Sequence, residues 1–529
     1  MELVALIPLL LCCGIFYSFV VVIYRLFFHP LARFPGPKFA AATKWYEFYF
    51  DICKGYGGQF AWEIDRMHDI YGPIVRVNPD ELHVQDPDFY KVLYAGNPTQ
   101  RDKWPPAASM AGTEQGTFGT VNHHVHRKRR AANSYFFSQK SITGAEPLLK
   151  ERVEELCGIM HDAFLSKKII ELKLTFLAFS TDTVCQYVFA EPPRLQSNRE
   201  AAELWHETIN AVSGLAPLIK QFPWLIPVAK KLPSAVVDFF APILGRLLRY
   251  HLHVNEEAPK KSAYTLFDAI LDSSLPPHEK SISRLANEAF VVAVAGGETT
   301  ARTLTFVIYY IHTNPRVLER LLAEITTVMP KSSDVPSIKT LQELPYLTVV
   351  IKETLRISAM ITSRLPLLSP DELQYKEWII PRKTPVSMTP NRVLHDPAIY
   401  PSPSDFRPNV GLRVTAHLSR MNFAYAELYL TVALLVRRFE FQLYETSHDR
   451  DIEIVRDCFI GEPDPQSPGV RPAFFSHRFS LSYLQFNARR KVFSIALMPM
   501  ASSYKQKILN HCHGPNGLIG GQQGCGLRF

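Results

Sequence analysis

A long apolar segment begins near Leu285 and continues past Tyr310, and the run Ala295-Gly296-Gly297-Glu298-Thr299-Thr300 interrupts it. The segment predicts a buried helix. Glycine inside a helix costs about 1 kcal/mol relative to alanine, and a carboxylate among apolar side chains must be paired or protonated. Two interpretations stay open. The run is either a helix crossing at small residues, or a place where another molecule lies against the backbone, with Glu298 as proton donor and Thr299 as hydroxyl relay.

A second pair of charged residues follows the apolar stretch from Leu347 to Ile351. Glu353 and Arg356 stand three positions apart in the run Lys352-Glu353-Thr354-Leu355-Arg356, so one helix face presents both side chains and they can form an ion pair. On its own this spacing is weak, because exposed helices often carry such pairs and the pairs add little to stability. Its meaning depends on the order of the neighbouring elements.

That order resembles the cytochrome P450 superfamily of haem-thiolate monooxygenases. The alanine-glycine-x-acid-Thr-Thr helix is followed by Glu353-x-x-Arg356, then by Arg364-Leu365-Pro366 and Asp405-Phe406-Arg407-Pro408. The resemblance extends from about Tyr24 to about Arg471. Within the superfamily, the stretch from Trp45 to Phe137 is similar to the trichodiene oxygenase group of fungal secondary metabolism.

Hydrophobic periodicity predicts a mainly α domain with a small β region near its amino-terminal third. The resemblance implies the cytochrome P450 fold for residues 39–471, preceded by one transmembrane helix. The segments of helical period are Glu151 to Phe164, Pro315 to Met329 and Tyr425 to Phe439. The strand-like runs are Ile74 to Val77, Leu82 to Val84, Ile379 to Ile380 and Pro385 to Met388.

The amino terminus predicts a membrane anchor. Leu3 to Val22 is apolar apart from Ser18, which matches the ~20 residues needed to cross a bilayer and exceeds a signal-peptide core. We therefore expect an anchor over residues 1–24 and a proline-rich hinge over residues 25–38. Basic residues follow the anchor, so the positive-inside tendency predicts a single-pass protein of the endoplasmic reticulum membrane with a cytosolic catalytic domain. A cleaved signal peptide is the alternative.

The charge balance is compatible with several partners. The chain has 58 Lys and Arg against 50 Asp and Glu, a formal net charge of +8, which suits anionic lipid or an acidic electron donor. Nucleic-acid binding is not expected, because the dense basic run Arg127-Lys128-Arg129-Arg130 lacks interleaved aromatic residues for stacking. As a family member, the protein would take electrons from NADPH through a membrane-bound reductase.

The resemblance assigns the interrupted helix a catalytic role. Glu298, Thr299 and Thr300 are expected to deliver protons during oxygen activation. Ala295 and Gly296 are expected to lie against the haem. The protein's own contribution would be positioning and proton delivery, since the cofactor carries the oxidation chemistry.

The resemblance also assigns residues that hold the cofactor. His126 and Arg130 stand in place of the family's Trp-x-x-x-Arg and would bind a haem propionate, and Arg364 would be a second propionate partner. A solvated basic helix end is the alternative explanation of His126 and Arg130. Glu353 and Arg356 would be the family's structural pair.

The family's defining loop, Phe-x-x-Gly-x-Arg-x-Cys-x-Gly, should end just before Met421, and the sequence lacks it. Counting back from Met421 puts Leu418 at the place of the axial cysteine, whereas the motif Gly411-Leu412-Arg413 would put Thr415 there. Neither side chain can replace a thiolate. Val410 occupies the place of the arginine that normally joins the structural pair. The sequence therefore offers no metal ligand of its own at this point.

The other cysteines do not supply the missing ligand. The eight cysteines show no repeated C-x-x-C spacing, so neither a disulfide framework nor a zinc site is predicted. Cys458 lies nearest the missing loop, but it stands in the strand-like run Val455 to Ile460 and is a poor substitute ligand. Residues 472–529 form an atypical tail. Two abrupt departures in an otherwise intact frame favour an error in the deduced sequence over a real loss.

The predicted function is insertion of one oxygen atom of O2 into a lipophilic, terpenoid-like natural product in fungal secondary metabolism. The pocket would be lined by Trp104 to Gly119, Leu215 to Leu244, the helix near Ala295, and Ile361-Thr362. One rival is a catalytically inactive or mis-deduced relative without the axial cysteine, acting at most as a membrane-tethered binding protein. The other rival is a helical membrane protein outside the family, in which Glu298 only satisfies a buried polar network.

Overall fold

The computed structural model describes residues 2–96, 98–134, 136–229, 231–232, 264–408 and 423–477. The first helix, α1 (Glu2–Ile23), continues into a π-helical turn at Tyr24–Phe28. The window Leu11–Phe28 has a mean hydropathy of 2.1 and none of it is buried. Among the described residues, one other helix, Ile282–Thr313, is long and apolar enough to span a membrane, but 67% of its window is buried inside the fold. The first helix is therefore the candidate anchor.

The hinge after the anchor packs onto the body of the protein. Leu31 and Phe34 are buried, and Arg25 donates through Nη1 to the Ala42 carbonyl at 2.9 Å. Gly36 has φ of +152°, and a Cβ there would lie 2.5 Å from the Arg76 carbonyl oxygen. A side chain at Gly36 is thus excluded by close backbone approach.

The described helices after α1 lie between Lys38 and Asp451. They are α2 (Lys38–Ala42), α3 (Trp45–Phe48), α4 (Phe60–Tyr71), α5 (Tyr90–Leu93), α6 (Pro105–Ala108), α7 (His123–Ser134), α8 (Gln139–Gly144), α9 (Glu146–Leu165), α10 (Leu172–Phe189), α11 (Arg199–Gln221), α12 (Leu225–Ala229), α13 (Leu266–Asp272), α14 (Ile282–Thr313), α15 (Pro315–Val328), α16 (Ile338–Gln342), α17 (Pro345–Ser358), α18 (Pro390–Leu394), α19 (Phe423–Arg438) and α20 (His448–Asp451). Three of them, α9, α15 and α19, confirm the predicted periodic segments.

The strands come from two distant parts of the chain. They are β1 (Ile74–Arg76), β2 (Leu82–Val84), β3 (Asp102–Lys103), β4 (Leu367–Leu368), β5 (Leu373–Tyr375), β6 (Trp378–Ile380), β7 (Pro385–Ser387), β8 (Phe439–Leu443), β9 (Arg456–Cys458), β10 (Ile460–Glu462) and β11 (Pro472–His477). Five of them form one sheet in the order β1-β2-β7-β4-β3, in which β2 and β7 are parallel. The four predicted strand-like runs are confirmed as β1, β2, β6 and β7, and the small β region extends beyond the amino-terminal third.

The longest described helix, α14, runs through the main hydrophobic core. Ser281 caps its first turn by accepting from the Arg284 amide, and Pro315 opens the next helix directly after Asn314. Helices α10, α17 and α19 pack against it. A mainly helical fold with one central buried helix is what the interrupted apolar segment predicted.

The carboxyl-terminal boundary differs from the predicted one. Strand β11 pairs antiparallel with β8, so the first six residues of the predicted tail belong to the folded body. Residues 478–529 lie outside the described residues, as do 230 and 233–263 of the predicted pocket segment. Residues 409–422, where the sequence departs from the family's cysteine loop, also lie outside them. This segment, called the departing loop below, contains Val410, Thr415 and Leu418. The other domain limits stay predictions.

Candidate functional site

The two glycines of the central run serve a helix crossing. A Cβ added at Gly296 would lie 2.8 Å from a methyl carbon of Val184 on α10, and one at Gly297 would overlap the Thr181 side chain. Helices α10 and α14 approach closely because these positions carry no side chain. Val184 thus accounts for the missing side chain at Gly296, and the placement of Gly296 against the haem stays a prediction.

A different face of the same helix is open. Ala295 is exposed and Thr299 is partly exposed, although most of α14 from Gly297 to Ile311 is buried. The Thr299 hydroxyl donates to the Ala295 carbonyl at 2.8 Å, so its oxygen remains able to accept a further hydrogen bond. Thr300 is 1% exposed, and its hydroxyl has no hydrogen-bond partner among the described residues. The open face thus carries Thr299 and not Thr300.

Glu298 lies in a closed ring of alternating charges. Its Oε1 is 3.2 Å from Lys173 Nζ and 3.7 Å from Arg302 Nη2. Glu462 of β10 completes the ring, 2.6 Å from Arg302 and 3.6 Å from Lys173. Burial disfavours the ionised form of Glu462, but Arg302 and Lys173 outweigh it and lower the pKa of that carboxyl. Lys173 and Arg302 therefore provide the ion-pair partners that the buried Glu298 carboxylate requires.

Lys103, His126 and Arg130 form a cluster of basic side chains, here called the basic cluster. Burial, then Lys103 and Arg130, lower the pKa of His126 to about 4. Burial, then Arg130, lower the pKa of Lys103 to about 8, and Lys103 Nζ donates to the Phe118 carbonyl at 2.5 Å. Among the described residues no carboxylate forms an ion pair with these three side chains. His126, neutral near pH 7, offers a hydrogen-bond donor beside the two basic side chains, so the cluster can bind a carboxylate. The sequence analysis did not name Lys103. Its only indication in the sequence is that a basic residue stands directly before Trp104, where the predicted loop begins.

Arg364 lies in a separate, closed cluster. Its guanidinium is 2.7 Å from Glu47 and 2.8 Å from Glu81, and it lies 4.8 Å from the centre of the Phe60 ring. The side chain is 4% exposed. Two carboxylates already neutralise this cation, so its use for a third carboxylate stays a prediction that the geometry does not favour.

Glu353 and Arg356 form a bidentate ion pair on α17. Arg356 donates through Nε and Nη2 to the two carboxylate oxygens, each at 2.9 Å. It also donates to the carbonyls of Leu394, Pro403 and Asp405. The pair thus gathers the segment that leads to the departing loop.

Two aromatic rings meet where the predicted pocket segment Trp104 to Gly119 packs on α14, since a Cβ at Gly116 would lie 3.4 Å from Val291, one turn before Ala295. The sequence predicted the segment but not this contact. The rings of Phe118 and Phe459 are 5.5 Å apart at an interplanar angle of 75°, an edge-to-face contact. Phe118 comes from the loop after α6, and Phe459 is the turn residue between β9 and β10, with φ of +75°. Ile361 pairs with Ile460 next to this turn. A positive φ at a phenylalanine has no signature in sequence that would have revealed it.

Comparison with known proteins identifies the family of this chain. A sequence profile of the Cytochrome P450 family matches residues 45–409. This chain belongs to the cytochrome P450 family. The profile match ends at the border of the departing loop, one residue after the last described residue before it.

Fungal P450 relatives cover nearly the whole chain. Tryptophan 6-hydroxylase fscE of Fusarium equiseti is 38% identical over 483 residues, 86% of this chain and 94% of the relative. Fusicoccadiene C-8 hydroxylase of Phomopsis amygdali is 36% identical over 511 residues, 89% and 96% of the two chains. Conidiogenone synthase PchP450 of Penicillium rubens is 34% identical over 488 residues, 86% and 97% of the two chains.

The P450 family implies haem, with electrons from NADPH through a reductase, and the described residues fit part of that cofactor. The basic cluster of Lys103, His126 and Arg130 has the donors to bind porphyrin carboxylates. Ala295 gives the open face of α14 the low profile that a flat ring requires. These residues fit the carboxylate edge and one face of haem, and their use for it stays a prediction.

The described residues do not fit the iron in the P450 manner. Cys458 is 3% exposed and lies in the β9–β10 hairpin, where burial raises the pKa of its thiol to about 11. Burial thus disfavours the thiolate form that binds iron. No other cysteine stands between Cys185 and the end of the described residues. The sequence prediction that Cys458 is not the axial ligand therefore gains a chemical reason.

Proposed function

We propose that the cysteine-complete form of this P450 inserts one oxygen atom of O2 into a lipophilic, terpenoid-like natural product. The open face of α14 carries the proposal, because Ala295 and Thr299 are accessible in the middle of an otherwise buried helix. The basic cluster of Lys103, His126 and Arg130, which forms no ion pair among the described residues, supports it. Haem, when bound, supplies the oxygen-activating chemistry.

The residues of the chain would divide the remaining work. Lys103, His126 and Arg130 hold the cofactor's carboxylates. Thr299 accepts a hydrogen bond at its Oγ1 and passes a proton across the open face, while Glu298, paired in the charge ring, takes up a proton and hands it on. Thr300 is buried on another side of the helix, so its proposed catalytic role has the least support.

The terpenoid substrate class rests on the relatives and on the apolar wall. Two of the reported relatives are named for reactions of fusicoccadiene and conidiogenone, and one is named for tryptophan. Phe118, Phe459 and Ile361 supply apolar surface near the open face. Product analysis with a cyclic diterpene and with tryptophan separates the two classes, and oxidation of tryptophan alone would reject the terpenoid assignment.

The alternative is a relative that is inactive as written, and the absent axial cysteine favours it. Sequencing the transcript across the codons for Pro408 to Met421 distinguishes a lost cysteine from a misread one. We expect the chain as written to lack the carbon monoxide spectrum of reduced thiolate-ligated haem. A Leu418→Cys variant should acquire that spectrum. Its appearance in the unaltered chain would contradict the proposal that the cysteine is required.

We further propose a single-pass protein of the endoplasmic reticulum membrane with a cytosolic P450 domain and a reductase partner. The apolar first helix supports an anchor. Aromatic side chains near it are exposed: Phe28 72%, Trp45 60% and Trp224 59%. Phe222, at the end of α11, bridges the last two, with its ring centre 6.3 Å from that of Trp45 and 6.1 Å from that of Trp224. This face would lie in the lipid interface beside the anchor.

A further inference from the structure

A buried carboxylate outside the charge ring makes an unusually complete set of hydrogen bonds. Glu288 is 2% exposed on α14. Its Oε2 accepts from the Thr117 amide at 2.8 Å, from the Thr117 hydroxyl at 2.9 Å and from Arg284 Nη1 at 2.6 Å. Its Oε1 accepts from Asn133 Nδ2 at 2.7 Å. One side chain thereby joins three elements: α14, α7 and the loop between α6 and α7.

The loop that Glu288 holds is compact at the same place. The Gly116 amide donates to the Thr113 carbonyl at 2.9 Å, and the Thr120 hydroxyl donates to the Gly116 carbonyl at 2.8 Å. Arg129 of α7 donates to the Thr120 hydroxyl at 2.7 Å. A Cβ at Gly116 would lie 3.3 Å from the Asn287 carbonyl oxygen, so the turn lies directly against α14.

Thr117 is followed immediately by Phe118, whose ring meets Phe459 beside the open face. The Phe118 carbonyl accepts a hydrogen bond from Lys103, a member of the basic cluster. Fixing the Thr117 amide therefore fixes the start of Phe118, and with it one wall of the site. The loop has no regular secondary structure between Ala108 and His123, so these side-chain contacts determine its position.

We propose that Glu288 is a positioning residue that sets the place of Phe118 and so the size of substrate that the site accepts. This inference rests on the proposed function for its substrate, but the position of the loop does not. A carboxylate suits the role because four donors converge on it. An amide has only one oxygen, and its NH2 group would face another donor.

The first measurement is hydrogen–deuterium exchange of the full-length chain in detergent micelles. Glu288→Gln should speed amide exchange in residues 113–121 by about 10-fold, the effect of one buried donor left unsatisfied. Exchange in α15 and α17 should not change. Asn287→Ala is the matched control, because the Asn287 side chain bonds only the Ser283 carbonyl one turn back. Equal exchange in the Gln variant and the parent would overturn the inference.

The second measurement separates positioning from general loss of structure. Dissociation constants for two probes, indole and geranylgeraniol, are measured by calorimetry in the parent, Glu288→Gln and Phe118→Ala. We expect both variants to change the ratio of the two constants by at least about 5-fold, with Phe118→Ala leaving loop exchange unchanged. A purely structural role would weaken both probes equally, and that result would overturn the inference. If neither probe bound the parent, the proposed function would fail, and loop exchange would still decide the role of Glu288.

Discussion

At the scale of single residues, the central run combines both interpretations that the sequence left open. Gly296 and Gly297 serve a helix crossing, whereas Ala295 and Thr299 lie on an open face. The sequence predicted that small residues mark close approach, but it could not say what approaches. Which face of a helix is covered depends on the residues that pack against it. Here those residues are Val184 and Thr181, more than a hundred positions away in the sequence.

The helix crossing predicts opposite effects for two glycine substitutions. Gly297→Ala should destabilise the protein by about 1–3 kcal/mol, because the added methyl overlaps Thr181 in a packed contact. Gly158→Ala on α9 is the matched control, since nothing lies within 4 Å of its Cβ position. It should be neutral or stabilise by up to about 1 kcal/mol. Urea unfolding compares the two, and equal free energies of unfolding would contradict the crossing.

The structural pair predicts a second contrast between buried and exposed ions. Glu353→Gln should cost about 3–5 kcal/mol, because Arg356 keeps a buried charge without its carboxylate. Glu203→Gln breaks the exposed pair with Arg199, whose side chains are 49% and 61% exposed. That change should cost at most about 1 kcal/mol. Thermal unfolding monitored by circular dichroism tests both, and similar midpoints for the two variants would argue against a buried structural role.

At the scale of elements, the sequence predicted helices and four of the strands, but not how the strands pair. The periodic segments for α9, α15 and α19 confirmed their predicted positions within a few residues. The five-stranded sheet joins β2 to β7, about 300 positions apart, through strands of two or three residues. Short strands carry little periodicity, and their partners are set by the long-range fold. The Phe118–Phe459 contact also joins residues far apart in the sequence, so the sequence did not predict it.

The junction between α4 and β2 predicts a dependence on pH. His68 Nδ1 bonds the Gly72 carbonyl at 2.8 Å, His68 Nε2 faces His83 Nδ1 at 2.7 Å, and His83 Nε2 faces the Thr389 hydroxyl at 3.0 Å. Only one proton fits between the two facing nitrogens, so this arrangement excludes protonation of both rings together. Burial lowers the pKa of each ring, and for His83 the neighbouring His68 lowers it further.

Because the unfolded rings titrate near ~6.5, the unfolded chain binds more protons below that pH. The free energy of unfolding should therefore be highest above pH 7 and fall as pH is lowered through 6 to 5. Unfolding midpoints of the parent and of His83→Gln test this over pH 5–8. The variant should lose stability at pH 8 but depend less on pH. Parallel curves for the two proteins would show that the junction does not titrate as proposed.

At the scale of the whole molecule, the frame is intact on both sides of the departing loop. Arg356 holds the segment before it through the Pro403 and Asp405 carbonyls, and α19 after it packs against α9 and α14. The family match ends at residue 409. A chain that had lost its function long ago would be expected to show wider decay of such contacts. We therefore favour an error in the deduced sequence over an inactive protein.

The proposed lipid-facing surface can be tested on the full chain. None of the six tryptophans lies in the predicted anchor, so fluorescence quenching by brominated lipid reports on the folded body alone. Trp45 and Trp224 are exposed beside the anchor, whereas Trp205 is 8% exposed inside the helical core. In vesicles, Trp45→Phe with Trp224→Phe should remove most of the quenching, and Trp205→Phe should leave it unchanged. Each exposed indole that inserts contributes about 1.5–3 kcal/mol of apolar burial, which holds the face in the interface. If the double variant were quenched as strongly as the parent, the body would meet the membrane through another face, and the route from lipid to the open face of α14 would have to start elsewhere.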